Sequence, residues 1–334
     1  MRCGVCPHEC DIPEDGEGLC KARGVRDGKL VELVYGRPAT IISDEVEKKP
    51  LFHFHPGKRA LSLGTLGCNV LCSGCQNWQI SHASARGEAK KLSYLSPDHA
   101  VSMARKHKLN GVVWTYNDPV VWIDYVTDVS LAFKRAGMFT AMVTAGYMTV
   151  EALDQVGPQI DAFRFDLKAP GSRGWSWLTK VEDPAPSLEA AIRAQDEYGC
   201  HVEVTSNIVP GMNDDTASIK EMAAWVRDSL GKKTPWHLTR FFPDFELSYL
   251  GQTPVATLEE AVRLGKKEGL EFVYLSNIPD HPLRDTVCPA CDRTLVHRGS
   301  GRAEKVWTRG GKCSFCGEEL HMVGDDMGSG DAER

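Results

Sequence analysis

Three cysteines, Cys68, Cys72 and Cys75, stand in a C-x3-C-x2-C array within the stretch LSLGTLGCNVLCSGCQNWQI. Three thiols on one short loop suit a metal cluster better than a disulfide, since pairing two leaves one over. Thiolate sulfur is the usual protein ligand of iron–sulfur clusters, so this triplet can fix three irons of a [4Fe–4S] cube and leave the fourth iron open. A zinc knuckle completed by a distant Cys or His is the alternative. Two more cysteine groups flank it. Cys3, Cys6, Cys10 and Cys20 follow a C-x2-C-x3-C-x9-C spacing, with Pro7, Pro13, Gly16 and Gly18 at the intervening turns. Such a set closes either a zinc tetrahedron or an auxiliary iron–sulfur cluster, and spacing alone does not choose. Cys288, Cys291, Cys313 and Cys316 form two C-x2-C knuckles of the zinc-ribbon kind, giving one or two zinc ions in all. Lone Cys200 is expected to be a small buried apolar residue.

The elements that position these groups follow from hydrophobic rhythm. From residue 61, apolar strands alternate with amphipathic helices, the pattern of parallel βα units. Expected strands are Ala60–Gly64, Gly111–Thr115, Phe139–Thr144, Ala162–Asp166, Val202–Ser206 and Trp236–Phe241, with Glu271–Leu275 as a possible seventh. Expected helices are Pro97–Lys108, Val120–Arg135, Val150–Val156, Leu188–Tyr198, Asp215–Leu230 and Leu258–Glu268. Six such units predict an α/β fold, a partial (β/α)6 barrel, with an open doubly wound sheet as the alternative. The cluster loop after the first strand favours the barrel, whose chemistry lies at the C-terminal ends of its strands. Polar residues fall at those ends: Thr115–Asp118, then Thr144, then Asp166 and Lys168, then Glu203, Thr205 and Asn207, then His237, Thr239 and Arg240, then Asn277. Together they predict a polar mouth around a ligand. For His53, Phe54 and His55 packing is expected, with a reach toward cluster or substrate as the alternative. The expected layout is a Cys-rich lead-in over 1–60, the barrel over 61–284, a zinc-ribbon-like module over 285–322 and a disordered tail over 323–334.

A net charge of −6 and a pI near 6.0 provide no global pull toward nucleic acid or anionic membrane. No apolar run reaches the length of a membrane span, and the N-terminus has no signal-peptide core. Clustered thiols without a secretory signal predict metal sites in a reducing cytoplasm. In the C-terminal module, Arg293, His297, Arg298, Arg302, Lys305, Arg309 and Lys312 surround Trp307, expected to be exposed. A solvated surface is the plain explanation, and a nucleic-acid or protein contact the other.

The ordered ensemble CGVCPHEC, EKKPLFHFHPG, GTLGCNVLCSGCQN, TYNDP, DLK, EVTSNIVPGMND, HLTRFFP, YLSNIP, CPAC and CSFC resembles radical S-adenosylmethionine (SAM) enzymes similar to the pyruvate formate-lyase activating enzyme, most closely the AmmeMemoRadiSam-system branch. The resemblance covers nearly the whole chain. It implies a [4Fe–4S] cluster on Cys68, Cys72 and Cys75, with SAM on the open iron. It places Asn117 and Asp118 where the superfamily binds the SAM amino group, Asp166 and Lys168 near the SAM carboxylate or a cation, and Thr144 and His237 at the strand-end mouth around SAM. Two departures stand out. The residue before the last cysteine is Gly74, so adenine stacking must come from elsewhere, such as Trp78. After the third strand the usual Asn-Gly is Ala145-Gly146. A reduced ferredoxin or flavodoxin is the implied electron donor, with partner proteins of the AmmeMemoRadiSam system. The implied activity is reductive SAM cleavage to a 5′-deoxyadenosyl radical, which abstracts a substrate hydrogen. Glycyl-radical activase and non-catalytic metal scaffold or nucleic-acid adaptor are the competing functions.

Overall fold

Strands β5 (Gly111–Trp114) and β6 (Phe139–Thr144) are buried at every position, as expected of parallel strands covered on both faces. The computed structural model describes residues 1–325. The fold is mixed α/β with a mostly parallel central sheet, and it divides into two compact units, each discontinuous in sequence.

The first unit comprises 1–44, 59–200 and 243–250. It opens with an antiparallel pair, β1 (Arg23–Arg26) and β2 (Lys29–Glu32). Its part of the sheet runs, in order, β7 (Ala162–Asp166), β6, β5, β4 (Arg59–Gly64) and β3 (Thr40–Glu45). The β4–β5, β5–β6 and β6–β7 pairs are parallel, so the chain leaves all four strands at the same end. Helices α1 (Trp78–Ser81), α2 (Pro97–Lys106), α3 (Ile123–Arg135), α4 (Val150–Val156), α5 (Gly171–Thr179) and α6 (Ala185–Asp196) supply the connections. Ser96 caps α2 by accepting from the His99 amide at 3.2 Å, and Thr149 caps α4 by accepting from Ala152 at 3.3 Å.

Two expectations change here. The helix expected over 120–135 starts late: Pro119–Trp122 forms a 3-10 turn, because Asp118 accepts from the Val120 amide and Pro119 occupies the first position. Helix α5 was not expected, since Gly171, Ser172 and Gly174 are poor helix formers. Buried Trp175 and Leu178, three residues apart on one face, hold it in place.

The second unit comprises 45–58, 201–242 and 251–334, of which the described residues end at 325. Its parallel strands are, in order, β10 (Val273–Leu275), β9 (Trp236–Arg240) and β8 (His201–Ile208), with α7 (Thr216–Leu230) and α8 (Val255–Lys267). Asp215, expected as the first helical residue, instead caps α7 by accepting from Ala217 at 2.9 Å and Ser218 at 3.0 Å. Asp215→Ala is therefore expected to cost about 1 kcal/mol, seen as a lower urea midpoint. Short strands β11 (Thr286–Val287), β12 (Thr294–His297), β13 (Lys305–Val306), β14 (Thr308–Arg309) and β15 (Lys312–Cys313) carry the C-terminal cysteines. Their core joins Phe52, Phe272, Tyr274, Leu295 and Leu320. Trp307, expected to be exposed, is half-buried. The tail expected from 323 lies, from 326 onward, outside the described residues. Among the described residues no helix is long and apolar enough to cross a membrane.

Candidate active site

The loop carrying Cys68, Cys72 and Cys75 leaves β4 at the common C-terminal end of the parallel strands. Asn117, at the end of β5, pins it there. Its side-chain oxygen accepts from the Thr65 amide at 2.9 Å, and its amide nitrogen donates to the Gly67 carbonyl at 2.7 Å. Both ends of the Asn117 side chain are thus engaged with the loop. Next to it, the Asp118 amide donates to the Cys68 sulfur at 3.3 Å. Cys75 Sγ lies 3.1 Å from Ser81 Oγ.

Asp118 is almost fully buried. It accepts from Thr144 Oγ1 at 2.8 Å, from the Ala145 amide at 2.8 Å and from the Val120 amide at 3.2 Å. Burial raises its pKa, and these three donors oppose the rise. An ionised carboxylate has about four acceptor positions, so three donors leave room for one more. Thr144 in turn accepts from the Gly146 amide at 2.9 Å, which fixes the direction of its hydroxyl. The two residues form one built feature at the ends of β5 and β6.

Along β7, alternate side chains share a face, and Arg164, Asp166 and Lys168 sit at alternate positions. Asp166 is bracketed by Arg164 and by Lys168, whose Nζ lies 2.6 Å away. Burial works against the Asp166 carboxylate, but the two cations outweigh it and hold its pKa low. Burial likewise opposes the Lys168 charge, while Asp166 and the Cys72 thiolate raise its pKa overall. Burial pushes Cys72 up to about 11, countered first by Lys168. It raises Cys68 strongly as well, with Asp118 adding to the effect. Such thiols ionise readily only against a metal. Three soft thiols with Lys168 beside one of them fit an iron–sulfur cluster. Arg164 was not singled out from sequence, although the R-x-D-x-K alternation signals it.

Trp78 is partly exposed and stacks on Phe245 at 5.3 Å between ring centroids.

His237, expected near SAM, sits in a buried network. It belongs to the second unit, is 0% exposed, and has both ring nitrogens engaged there: Nδ1 with Ser276 Oγ at 2.6 Å and Nε2 with Glu203 at 2.6 Å. Both ring nitrogens are thus taken up by side chains of the second unit. Glu203 is the hub of this network. Its carboxylate accepts from the Phe52 amide at 2.9 Å, the His53 amide at 2.8 Å, His201 Nε2 at 2.9 Å and His237 Nε2. Buried His53 lies 3.0 Å from the Leu320 carbonyl through Nδ1 and 2.7 Å from the Tyr274 hydroxyl through Nε2, which makes it a packing residue.

The four C-terminal thiols lie within 4.8 Å of one another, with Cys288–Cys316 at 3.6 Å and Cys291–Cys313 at 3.8 Å. Tetrahedral zinc, with bonds of about 2.3 Å to sulfur, requires sulfurs roughly 3.8 Å apart. This group fits a single metal ion. Cys200 is buried, as expected, with Sγ 3.1 Å from the Ile160 carbonyl.

Residues 63–226 match the model of the radical SAM superfamily. The chain is also 36% identical over 329 residues to an uncharacterized protein of Methanocaldococcus jannaschii, covering 97% of this chain and 96% of that protein. The chain belongs to the radical SAM superfamily. Membership implies a [4Fe–4S] cluster, SAM and reductive SAM chemistry. Among solved structures, Streptococcus suis SuiB bound to SAM is similar in fold, with TM-score 0.50 and 10% identity over 65% of this chain and 49% of SuiB. A domain of a pyruvate-formate lyase-activating enzyme from Bacteroides vulgatus has TM-score 0.43 and 17% identity over 50% of this chain and 98% of that domain.

Proposed function

We propose that this radical SAM protein generates a 5′-deoxyadenosyl radical at the end of β4–β7 and uses it to abstract hydrogen from a substrate. The observation that carries this reading is the joining of the thiol loop to the Asp118–Thr144 pair through the Asp118 amide on Cys68. In the proposed arrangement Cys68, Cys72 and Cys75 hold the cluster. The open acceptor position of Asp118 takes an N–H of the SAM amino group, Thr144 and Ala145 keep that carboxylate in place, and Asp166 orients Lys168 toward the SAM carboxylate. When bound, the reduced cluster supplies the electron that cleaves SAM to methionine and the adenosyl radical. The protein's own work is orientation, and exclusion of water by the buried strand ends. The electron comes from a reduced ferredoxin or flavodoxin. The C-terminal group holds zinc, and the protein works in the cytoplasm with partner proteins of the AmmeMemoRadiSam system.

The test is anaerobic reconstitution followed by dithionite reduction with SAM and assay of 5′-deoxyadenosine. Product formation is expected. A protein that holds a reduced cluster yet forms none would sink the reading. Asp118→Asn should raise the SAM Kd roughly tenfold or more, through loss of a charge-assisted hydrogen bond of about 1.5–3 kcal/mol. Its iron content should stay unchanged; equal SAM affinity would remove Asp118 from the binding set.

A further inference from the structure

The N-terminal cysteines form a second built site within the first unit. The Cys3 amide donates to the Cys10 carbonyl at 2.9 Å, and the Glu9 amide to Cys6 at 3.0 Å, so residues 2–11 fold into a tight loop. A turn in which Lys21 bonds back to Gly18 at 2.9 Å, with Lys21 at φ 59°, brings in Cys20. All four cysteines line one pocket floored by Ile12, Val120 and Val121. A backbone group points at one of the sulfurs: the Leu19 amide donates to Cys10 Sγ at 3.4 Å. Hydrogen bonds of this kind favour thiolates that ligate metal and tune its potential. Gly18 keeps space beside Cys10, since a β-carbon there would lie 3.5 Å from its sulfur and 3.2 Å from Ile12.

Sulfur spacing separates the two metals that sequence left open. Among the described residues, the C-terminal thiols are the only group of three or more metal-ligating side chains within 4.8 Å of one another. Neither the N-terminal four nor Cys68, Cys72 and Cys75 on the family's cluster loop form such a close group. Zinc draws four sulfurs to about 3.8 Å, whereas a four-iron cube binds each thiolate through a different iron and holds them farther apart. The site also adjoins that loop. The Cys68 amide donates to the Cys20 carbonyl at 3.1 Å, and His8 Nε2 lies 2.8 Å from the Asn69 carbonyl. We propose that Cys3, Cys6, Cys10 and Cys20 hold an auxiliary [4Fe–4S] cluster. With four protein thiolates, no iron is left open to SAM, so the site is suited to electron transfer.

The test uses the full chain with Cys68→Ala, Cys72→Ala and Cys75→Ala, which removes the other cluster and makes the outcome independent of SAM cleavage. After anaerobic reconstitution, about four irons and four sulfides per chain should remain. Dithionite should give an EPR signal that SAM does not alter, with zinc at about one per chain. Adding Cys6→Ala and Cys20→Ala should abolish that iron. In parallel, the unsubstituted protein should hold about eight irons, which keeps the test valid if the variants fail to fold. Four irons with two zinc ions in the unsubstituted chain, or a triple variant with zinc and no iron, overturns the proposal.

Discussion

The triple variant Cys68→Ala, Cys72→Ala, Cys75→Ala should form no detectable 5′-deoxyadenosine under reducing conditions, against ready formation by the parent protein. Removal of all three thiols takes away every protein ligand the proposed cluster has on that loop, so the loss should be complete rather than graded. The fold should survive the change. The loop is held by Asn117 bonds to Thr65 and Gly67 and by the Cys68 amide on the Cys20 carbonyl, none of which uses a cysteine side chain. Circular dichroism and chromatography of the variant separate lost chemistry from lost structure. Residual product at a tenth of the parent level would place the cluster elsewhere.

Glu203→Gln should be the most destabilising single change outside the metal sites, by about 3–5 kcal/mol. Four donors converge on a carboxylate that is 0% exposed. The amide of glutamine would turn a donor toward one pair of them and leave buried polar groups unpaired. The same hub sets an acid limit. Burial opposes the Glu203 charge, but its histidine partners outweigh that and hold its pKa far below 4.5, so its contribution is present above that pH and fades as acid protonates it. Burial lowers His53 from 6.5 to about 3. Between those values the unfolded chain binds a proton that the folded form refuses, so stability falls as pH drops. The urea midpoint of the parent should therefore decline from about pH 6.5 downward. A flat midpoint from pH 7 to pH 4, or a Glu203→Gln midpoint equal to the parent's, would contradict this description of the hub.

What was legible in the sequence was local. Apolar runs placed strands to within a residue or two at 111–114, 139–144, 162–166 and 236–240, because burial on both faces leaves a continuous apolar run. The cysteine spacing and the polar strand ends were equally local. Long-range partnerships were not legible. The partners of His237, Glu203 and Ser276, lie 34 and 39 residues away in sequence, and nothing near it in the chain announces them. Glu203 itself is held by amides about 150 residues away. The same holds for Asn117, whose partners Thr65 and Gly67 lie on the loop after a different strand.

The most direct measurement is EPR of the dithionite-reduced protein with and without SAM, using the Cys6→Ala, Cys20→Ala variant to isolate the Cys68–Cys75 cluster. The account predicts that SAM changes the spectrum of that cluster, because SAM would occupy the iron left without a cysteine. An unchanged spectrum at saturating SAM, from a protein shown to contain the reduced cluster, would contradict the central claim.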